Sequence, residues 1–366
     1  MSQQDLIVYG ANGYTGKLIL KYLTKRGLPF TAAGRNMERL EQALAEFPGN
    51  QGKAVQVEHD ERKLSDLFKD ARCVINCTGP FGQLGTPVLR AALDNNCHYL
   101  DPTGETDWMW TMKKEFGPAA EKQKLLISSA CSYMWTIGSL AAELCIEEGG
   151  IDTVDILYDP SSAVTIASSL SFMRMVCRVN TYLENNEVKA WEKFASPERK
   201  APRTGKMTPT LPWSGGAEAI WFSDDPRIKT CRTLVVAPSA PVLLNFARQF
   251  DEAEQAGKSD AELEELTNGF AMTFARTPPP EIPDVHTTML YIEARGPGVL
   301  RKRMMHGTMA YDSTGFLLAE AADRCLTGRI ERYGYQSAPR AFGTHALVDA
   351  MKEVNLLDYP VDASDF

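Results

Sequence analysis

Over the first 130 residues, short apolar runs alternate with stretches in which apolar side chains recur every three to four positions. The runs predict strands at 5–9, 30–33, 54–57, 73–76, 98–100 and 125–128;. The amphipathic stretches predict helices at 15–26, 37–47, 64–69, 86–95 and 108–123;. Strands that alternate with helices pair in parallel through right-handed crossovers, because a tight hairpin cannot join parallel strands. The expected fold class is α/β, with an open, doubly wound parallel sheet.

Beyond residue 150 the pattern changes. IDTVDILYD reads as a strand at 151–159, and further strands are expected at 217–222, 286–294 and 303–311. Proline-rich segments at 196–212 and 277–283 are expected as exposed loops, since proline removes a backbone donor and breaks regular elements;. A charged amphipathic helix is expected at 251–266, and helices at 315–326 and 344–352 should pack back on the first domain;. The expected division is a dinucleotide-binding domain at 1–150, joined by the C-terminal helices of 312–366. A second, α+β domain at 151–311 would serve substrate binding and dimerisation.

Composition narrows the function classes. The chain has 366 residues, with 39 basic and 47 acidic side chains and a formal net charge of −8. An acidic surface cannot neutralise a run of phosphates, so nucleic acid is excluded as an expected partner. A local basic pocket for one phosphorylated ligand stays open. Eight cysteines without a C-x-x-C pair are too sparse for a disulfide framework, and several sit in apolar runs such as CVINC;. The five histidines show no metal-ligand spacing, so no metal site is expected;. No signal peptide or transmembrane run is read from the sequence, and the expected location is the cytoplasm.

The strongest local signal is LIVYGANGYTGKLIL, where Gly10, Gly13 and Gly16 are spaced G-x-x-G-x-x-G between a strand and a helix. Glycines permit the tight turn and let backbone amides approach a pyrophosphate, whose charge the helix N-terminus stabilises. Asn12, Tyr14 and Thr15 complete the expected loop. A glycine turn at such a junction also arises from packing alone.

The end of the second strand selects the nicotinamide. An NAD site carries a carboxylate there, but this chain reads GRNMER;. Arg35 offers a planar fork for a 2′-phosphate, with Asn36 beside it and Arg39 one turn on. The alternative is an arginine at an ordinary helix start. NADP(H) is the expected cofactor. Asp60, at the end of the third strand, either accepts from the adenine amino group or caps the helix that follows. After the fourth strand, Cys77, Thr78, Gly79, Pro80 and Phe81 are expected to run beneath the cofactor, though Pro80 also suits a plain turn.

GANGYTGKL, AGRNMERL, VINCTGPFGQLGTPVLRAAL and HYLDPTGE, in this order, resemble the saccharopine dehydrogenase-like superfamily, and most closely its short branch related to trans-acting enoyl reductases. The resemblance covers the first 130 residues, with a weaker echo in YDSTGFLLAEAADRCL. It implies an NADP-binding Rossmann domain, an inserted α/β substrate domain, often a dimer, and reduction of C=N or C=C bonds. Members of this branch often carry a glycine- and aspartate-containing segment after the sixth strand. This chain instead has SSACSYMWTIGSLAAEL, without the aspartate, so no relative's substrate transfers.

Hydride transfer to most acceptors needs a proton source. No Tyr-x-x-x-Lys pair or Gly-x-Ser-x-Gly elbow is present. Tyr133, just beyond the sixth strand, is the preferred donor, with a buried core aromatic as its alternative. Asp101 and Glu105, after the fifth strand, could orient substrate or relay a proton, or could cap a turn and a helix. His306 and Tyr311 are weaker candidates. Trp108, Trp110, Trp135, Trp213 and Trp221 could line a pocket for a bulky hydrophobic substrate, although a core role is the better expectation for each.

The first functional expectation is an NADPH-dependent reductase of a C=C, C=O or C=N bond in a hydrophobic metabolite, acting as a homodimer. Two alternatives stand beside it: a non-catalytic NADP-binding scaffold, and a redox-neutral isomerase or lyase that retains its dinucleotide.

Overall fold

The computed structural model describes residues 1–366 apart from 1, 3, 4, 163, 214, 215 and 276–279. The chain divides into two compact units. One comprises Met1–Thr103, Asp107–Thr136 and Tyr311–Val354; the other comprises Gly104–Thr106, Ile137–Ala310 and Asn355–Phe366.

The elements up to residue 147 run β1 (Leu6–Tyr9), α1 (Tyr14–Lys25), β2 (Pro29–Gly34), α2 (Met37–Ala45), β3 (Gln51–Gln56), α3 (Glu61–Phe68), β4 (Cys73–Asn76) and α4 (Phe81–Asp94). Then follow β5 (His98–Leu100), α5 (Thr106–Thr111), a π-helical turn (Met112–Phe116), α6 (Gly117–Lys122), β6 (Leu126–Ser128) and α7 (Tyr133–Glu147). The strands are parallel in the order β6-β5-β4-β1-β2-β3. β1 and β4 are completely buried, as strands covered on both faces must be, and read as unbroken apolar runs for that reason;. Because β1 lies between β4 and β2, the loops leaving β1 and β4 diverge at the point where doubly wound sheets bind ligands;.

The second unit contains β7 (Thr153–Pro160), α8 (Ile166–Val176), β8 (Thr181–Glu184), β9 (Glu187–Ala190), β10 (Glu198–Lys200), β11 (Met207–Pro212), α9 (Ala217–Phe222) and β12 (Thr230–Val236). α10 (Ala240–Gln255), α11 (Asp260–Phe274), β13 (Thr287–Gly296) and β14 (Val299–Thr308) follow. The chain then adds α12 (Ala310–Leu326), β15 (Gly334–Tyr335), α13 (Ala338–Phe342), α14 (Thr344–Glu353) and β16 (Val361–Asp362). The second sheet is mixed, in the order β10-β11-β12-β7-β13-β14-β16, with the β8–β9 hairpin attached to β12. Among the described residues of this sheet, β12 and β7 are the pair that runs parallel.

The returning segment joins the first unit closely. β15 extends the first sheet beside β6. A Cβ on Gly315 would lie 2.7 Å from the Leu18 side chain, so α12 presses against α1 at that glycine.

Several expectations of the sequence change. The segment Ala217–Phe222 is a helix whose six side chains are all buried, so no polar face reveals its period;. The strand expected at 303–311 ends at Thr308, Met309 takes φ 48°, and Tyr311 lies in α12. The expected loop at 196–212 contains β10 and β11, and the Pro209 carbonyl accepts from the Ala237 amide at 2.9 Å. The helix expected at 251–266 is two helices, the second opened by a capping box of Ser259 and Glu262;. Residues 277–279 of the other expected loop lie outside the described residues.

Candidate functional site: a glycine loop at the sheet's carboxyl edge

β1 ends at Tyr9, and Gly10 turns the chain with φ +82°, a conformation that side chains resist;. The amides of Gly10 and Ala11 both donate to the Ala33 carbonyl, at 2.8 and 3.3 Å, and stitch the loop to β2. The Gly13 amide donates to the Gly10 carbonyl at 3.0 Å, and the Lys17 amide to the Gly13 carbonyl at 2.9 Å. Gly13 is the N-cap of α1, and no side chain caps that helix.

The glycines leave no room for anything larger. A Cβ on Gly10 would stand 2.7 Å from Thr78 Oγ1, and one on Gly16 would stand 2.5 Å from the Gly10 carbonyl oxygen. The result is a backbone cradle at the start of a twelve-residue helix, as a pyrophosphate requires;. A dinucleotide therefore fits these residues. Asn12 lies over the end of β2, where a Cβ on Gly34 would reach its Oδ1 at 3.1 Å. Thr15 follows Tyr14 in the first turn of α1, and the Tyr14 ring meets that of Tyr311 edge to face at 5.3 Å.

The loop after β4 closes on this cradle. The Cys77 amide donates to the Tyr9 carbonyl at 2.7 Å, and the Thr78 amide donates to Asn76 Oδ1 at 2.9 Å. Burial pushes the Cys77 thiol far up, so it stays a neutral packing group;. Gly79 packs against the Phe81 ring, and Pro80 caps α4, which Phe81 opens. The structure thus gathers Gly10, Gly13, Gly16, Cys77, Thr78 and Gly79 around one loop.

At the end of β2, Arg35 and Arg39 are exposed, and neither guanidinium has a partner among the described residues. Asn36 caps α2 by accepting from the Arg39 amide at 2.9 Å. Asp60 caps α3 by accepting from the Lys63 amide at 3.0 Å, so its side chain fulfils the capping alternative. The sequence reading missed Tyr9 and His59. Tyr9 Oη and His59 Nδ1 are 3.0 Å apart and bridge β1 to the end of β3. The signal available was only position: His59 precedes the noticed Asp60, and Tyr9 precedes Gly10.

The three candidate catalytic residues are divided between the two units. Asp101 is buried in the first unit, where Oδ1 accepts from the Thr103 and Ala130 amides at 3.0 and 3.2 Å and ties the ends of β5 and β6. Tyr133 is buried at the start of α7, and its amide donates to Thr314 Oγ1 at 3.0 Å. Glu105 belongs to the second unit. It is fully buried, accepts from Ser171 Oγ at 3.0 Å and pairs with Arg174 at 2.8 Å.

The tryptophans divide as well. Trp108 packs its indole over Gly85 in the first unit, and Trp221 is buried within α9 of the second. Trp110 and Trp135 belong to the first unit and Trp213 to the second, where its ring meets Phe172 at 5.8 Å. His306 is exposed on β14.

Among the acids of the second unit that sequence reading also missed, Glu218 is fully buried. Glu218 accepts from Tyr158 Oη at 2.8 Å and Thr233 Oγ1 at 3.1 Å, and Tyr158 Oη accepts from the Gly138 amide at 2.8 Å. Burial pushes its carboxyl up to about 7, against the three hydrogen bonds that lower it;. An acid inside the apolar run AEAIWF was the available signal. Among the described residues no group of His, Cys, Asp and Glu could hold a metal, and no helix is long and apolar enough to cross a membrane.

Comparison with known proteins agrees with this geometry. Residues 6–121 match the saccharopine dehydrogenase NADP binding domain, which supports NADP(H) as the cofactor of this part of the chain. Residues 136–365 match a family of unknown function, DUF5938, and the chain belongs to that family. An Arabidopsis thaliana protein named as a mitochondrial saccharopine dehydrogenase-like oxidoreductase is 36% identical over 154 residues, covering 38% of this chain and 33% of its own. A Mycobacterium tuberculosis protein named as a trans-acting enoyl reductase is 27% identical over 135 residues, covering 35% of this chain and 32% of its own. The chain thus aligns with about a third of the length of these relatives. The solved structure of saccharopine dehydrogenase (L-Glu forming) from Saccharomyces cerevisiae superposes with a TM-score of 0.64 at 13% identity. That superposition covers 98% of this chain and 99% of the yeast chain, and it establishes the shared two-domain fold.

Proposed function

We propose that the chain is an NADPH-dependent reductase acting on a C=C, C=O or C=N bond of an organic metabolite. The observation that carries this reading is the glycine cradle beside a β2 end that bears Arg35 and no carboxylate. Both relatives described above carry names from oxidoreductase chemistry, which supports it.

The chemistry that a bound NADPH supplies is hydride donation. This chain's residues do the rest. Backbone amides of the loop and the open N-terminus of α1 hold the pyrophosphate, and Arg35 meets the 2′-phosphate with a charge-assisted fork. Thr78 and Gly79 keep the loop after β4 slender enough to lie against the bound ligand. Tyr133 is the proposed proton donor, because it follows β6 on the same carboxyl edge of the parallel sheet as the glycine loop. We place the protein in the cytoplasm as a homodimer acting on a hydrophobic substrate.

The test is titration of the purified protein with NADPH and NADH, then NADPH oxidation across enones, ketones and imines. Preferential NADPH binding with turnover of one class is expected. In that assay Tyr133→Phe should lower turnover about a hundredfold at unchanged NADPH affinity. Binding without turnover across the panel would favour the scaffold, and a dinucleotide that never exchanges would favour the redox-neutral enzyme.

A further inference from the structure

Resting on that reading, we propose that His59, held by Tyr9 across the end of β2, is a second recognition residue for the cofactor's 2′-phosphate beside Arg35. Strand order builds this site. β2 lies between β1 and β3, so the 3.0 Å contact from Tyr9 to His59 passes over the point where Arg35 leaves β2. The two rings lie nearly parallel, 17° apart with centroids separated by 6.1 Å, and Tyr9 is itself fully buried. An imidazole fixed on one nitrogen by a buried phenol has little freedom to turn away.

Its other nitrogen, Nε2, has no partner among the described residues, and neither do the guanidinium groups of Arg35 and Arg39. Two basic side chains with unspent donors, His59 and Arg35, therefore lie close to one another in a chain of net charge −8, with Arg39 in the first turn of α2 beyond them. Such a grouping suits a phosphate monoester far better than a ribose hydroxyl.

The surrounding charges leave His59 free to respond. Tyr9 comes from β1 and Arg35 from the end of β2. On the histidine's own segment, Glu58 is ion-paired with Lys63 and Asp60 caps α3. Burial and the nearby Arg35 charge hold the imidazole below its usual range, so it is neutral before the ligand arrives;. A dianionic phosphate reverses the Arg35 field and favours the imidazolium. NADPH binding should then take up a proton at this ring that NADH binding does not.

The experiment is isothermal titration of wild-type protein and His59→Gln with NADPH and NADH, near neutral pH, in two buffers of different ionisation enthalpy. The 2′-phosphate titrates at about pH 6 and releases protons in both proteins, so the difference between the proteins isolates His59. His59→Gln is expected to lose the extra proton uptake and about tenfold in NADPH affinity, with NADH affinity unchanged. Tyr9→Phe, which keeps the ring and frees the histidine, should lose part of both. If His59→Gln kept wild-type NADPH affinity and proton uptake, or weakened both dinucleotides equally while folded by circular dichroism, the proposal would be overturned. Wild-type protein that bound NADH as well as NADPH would instead overturn the NADP reading beneath it. The Arg35→Ala variant, losing NADPH preference whatever His59 does, separates the two failures.

Discussion

The two units spend glycine and buried charge in different ways. In the first, glycines shape a loop at the sheet edge, and the groups offered to a ligand are backbone amides and exposed cations. In the second, Gly138 lies inside a helix and makes room for a buried acid, its absent Cβ falling 2.3 Å from both Glu218 and Tyr158 oxygens. The first unit also holds a half-buried base neutral: His98 Nδ1 accepts from the Leu126 amide, and desolvation with the Arg72 charge pushes its pKa to about 4. The second holds a buried acid near neutrality. The difference teaches that in the first unit a glycine's missing side chain shapes backbone at the sheet edge, whereas in the second it makes room for a buried hydrogen-bonded acid.

The largest expected effect tests the first side of this contrast. Gly16→Ala would place a Cβ 2.5 Å from the Gly10 carbonyl oxygen and 2.6 Å from that of Ala11, both backbone atoms that cannot yield cheaply. NADPH affinity should fall at least about a hundredfold, since the cradle must shift by a substantial fraction of an ångström. A variant that bound NADPH normally by fluorescence titration would show that the loop is only a packing turn.

Next in size is Glu105→Ala in the second unit. It strands Arg174, whose side chain is 21% exposed, without its fully buried carboxylate. The expected loss is about 3 kcal/mol of stability, seen as a fall of several degrees in Tm. NADPH affinity should stay unchanged, and Glu105→Gln, which retains an oxygen for Ser171, should lose less. A parallel loss of dinucleotide binding would break the separation between a ligand-bearing loop and a structural pair.

These two residues also mark how much was legible in the sequence. Gly16 was readable because strand, turn and helix follow one another within a few residues, and every constraint on it is local. The alternating apolar pattern of the first domain carried the parallel sheet for the same reason. Glu105 pairs with a residue 69 positions away, and no spacing rule links it to Ser171 or Arg174. α9 was misread because burial on every side erases the polar face that reveals a helical period;. Tyr9 and His59 stand 50 residues apart and meet only because β2 is inserted between their strands.

The third effect, close in size to the second, lies in pH. The Glu218 carboxyl is raised from its ordinary value of 4.5 to about 7 in the folded protein. Between those values the folded chain keeps a proton that the unfolded chain has lost. The stabilising contribution is therefore complete below pH 4.5 and lost as pH rises through about 7, by about 3 kcal/mol in all;. His98 acts in the opposite sense. Its folded value lies below 6.5, so its contribution is complete above that pH and fades as pH falls toward about 4;. Glu218→Gln keeps the shape and hydrogen bonding of the neutral acid but cannot ionise. Relative to wild type it should gain several degrees of Tm on going from pH 5 to pH 8, while the His98 dependence cancels because both proteins share it. A Tm difference between the two proteins that did not change over that range would mean that Glu218 is ionised in its burial site. The acid would then be an ordinary charged member of its network, and the contrast between the units would reduce to the glycine loop alone.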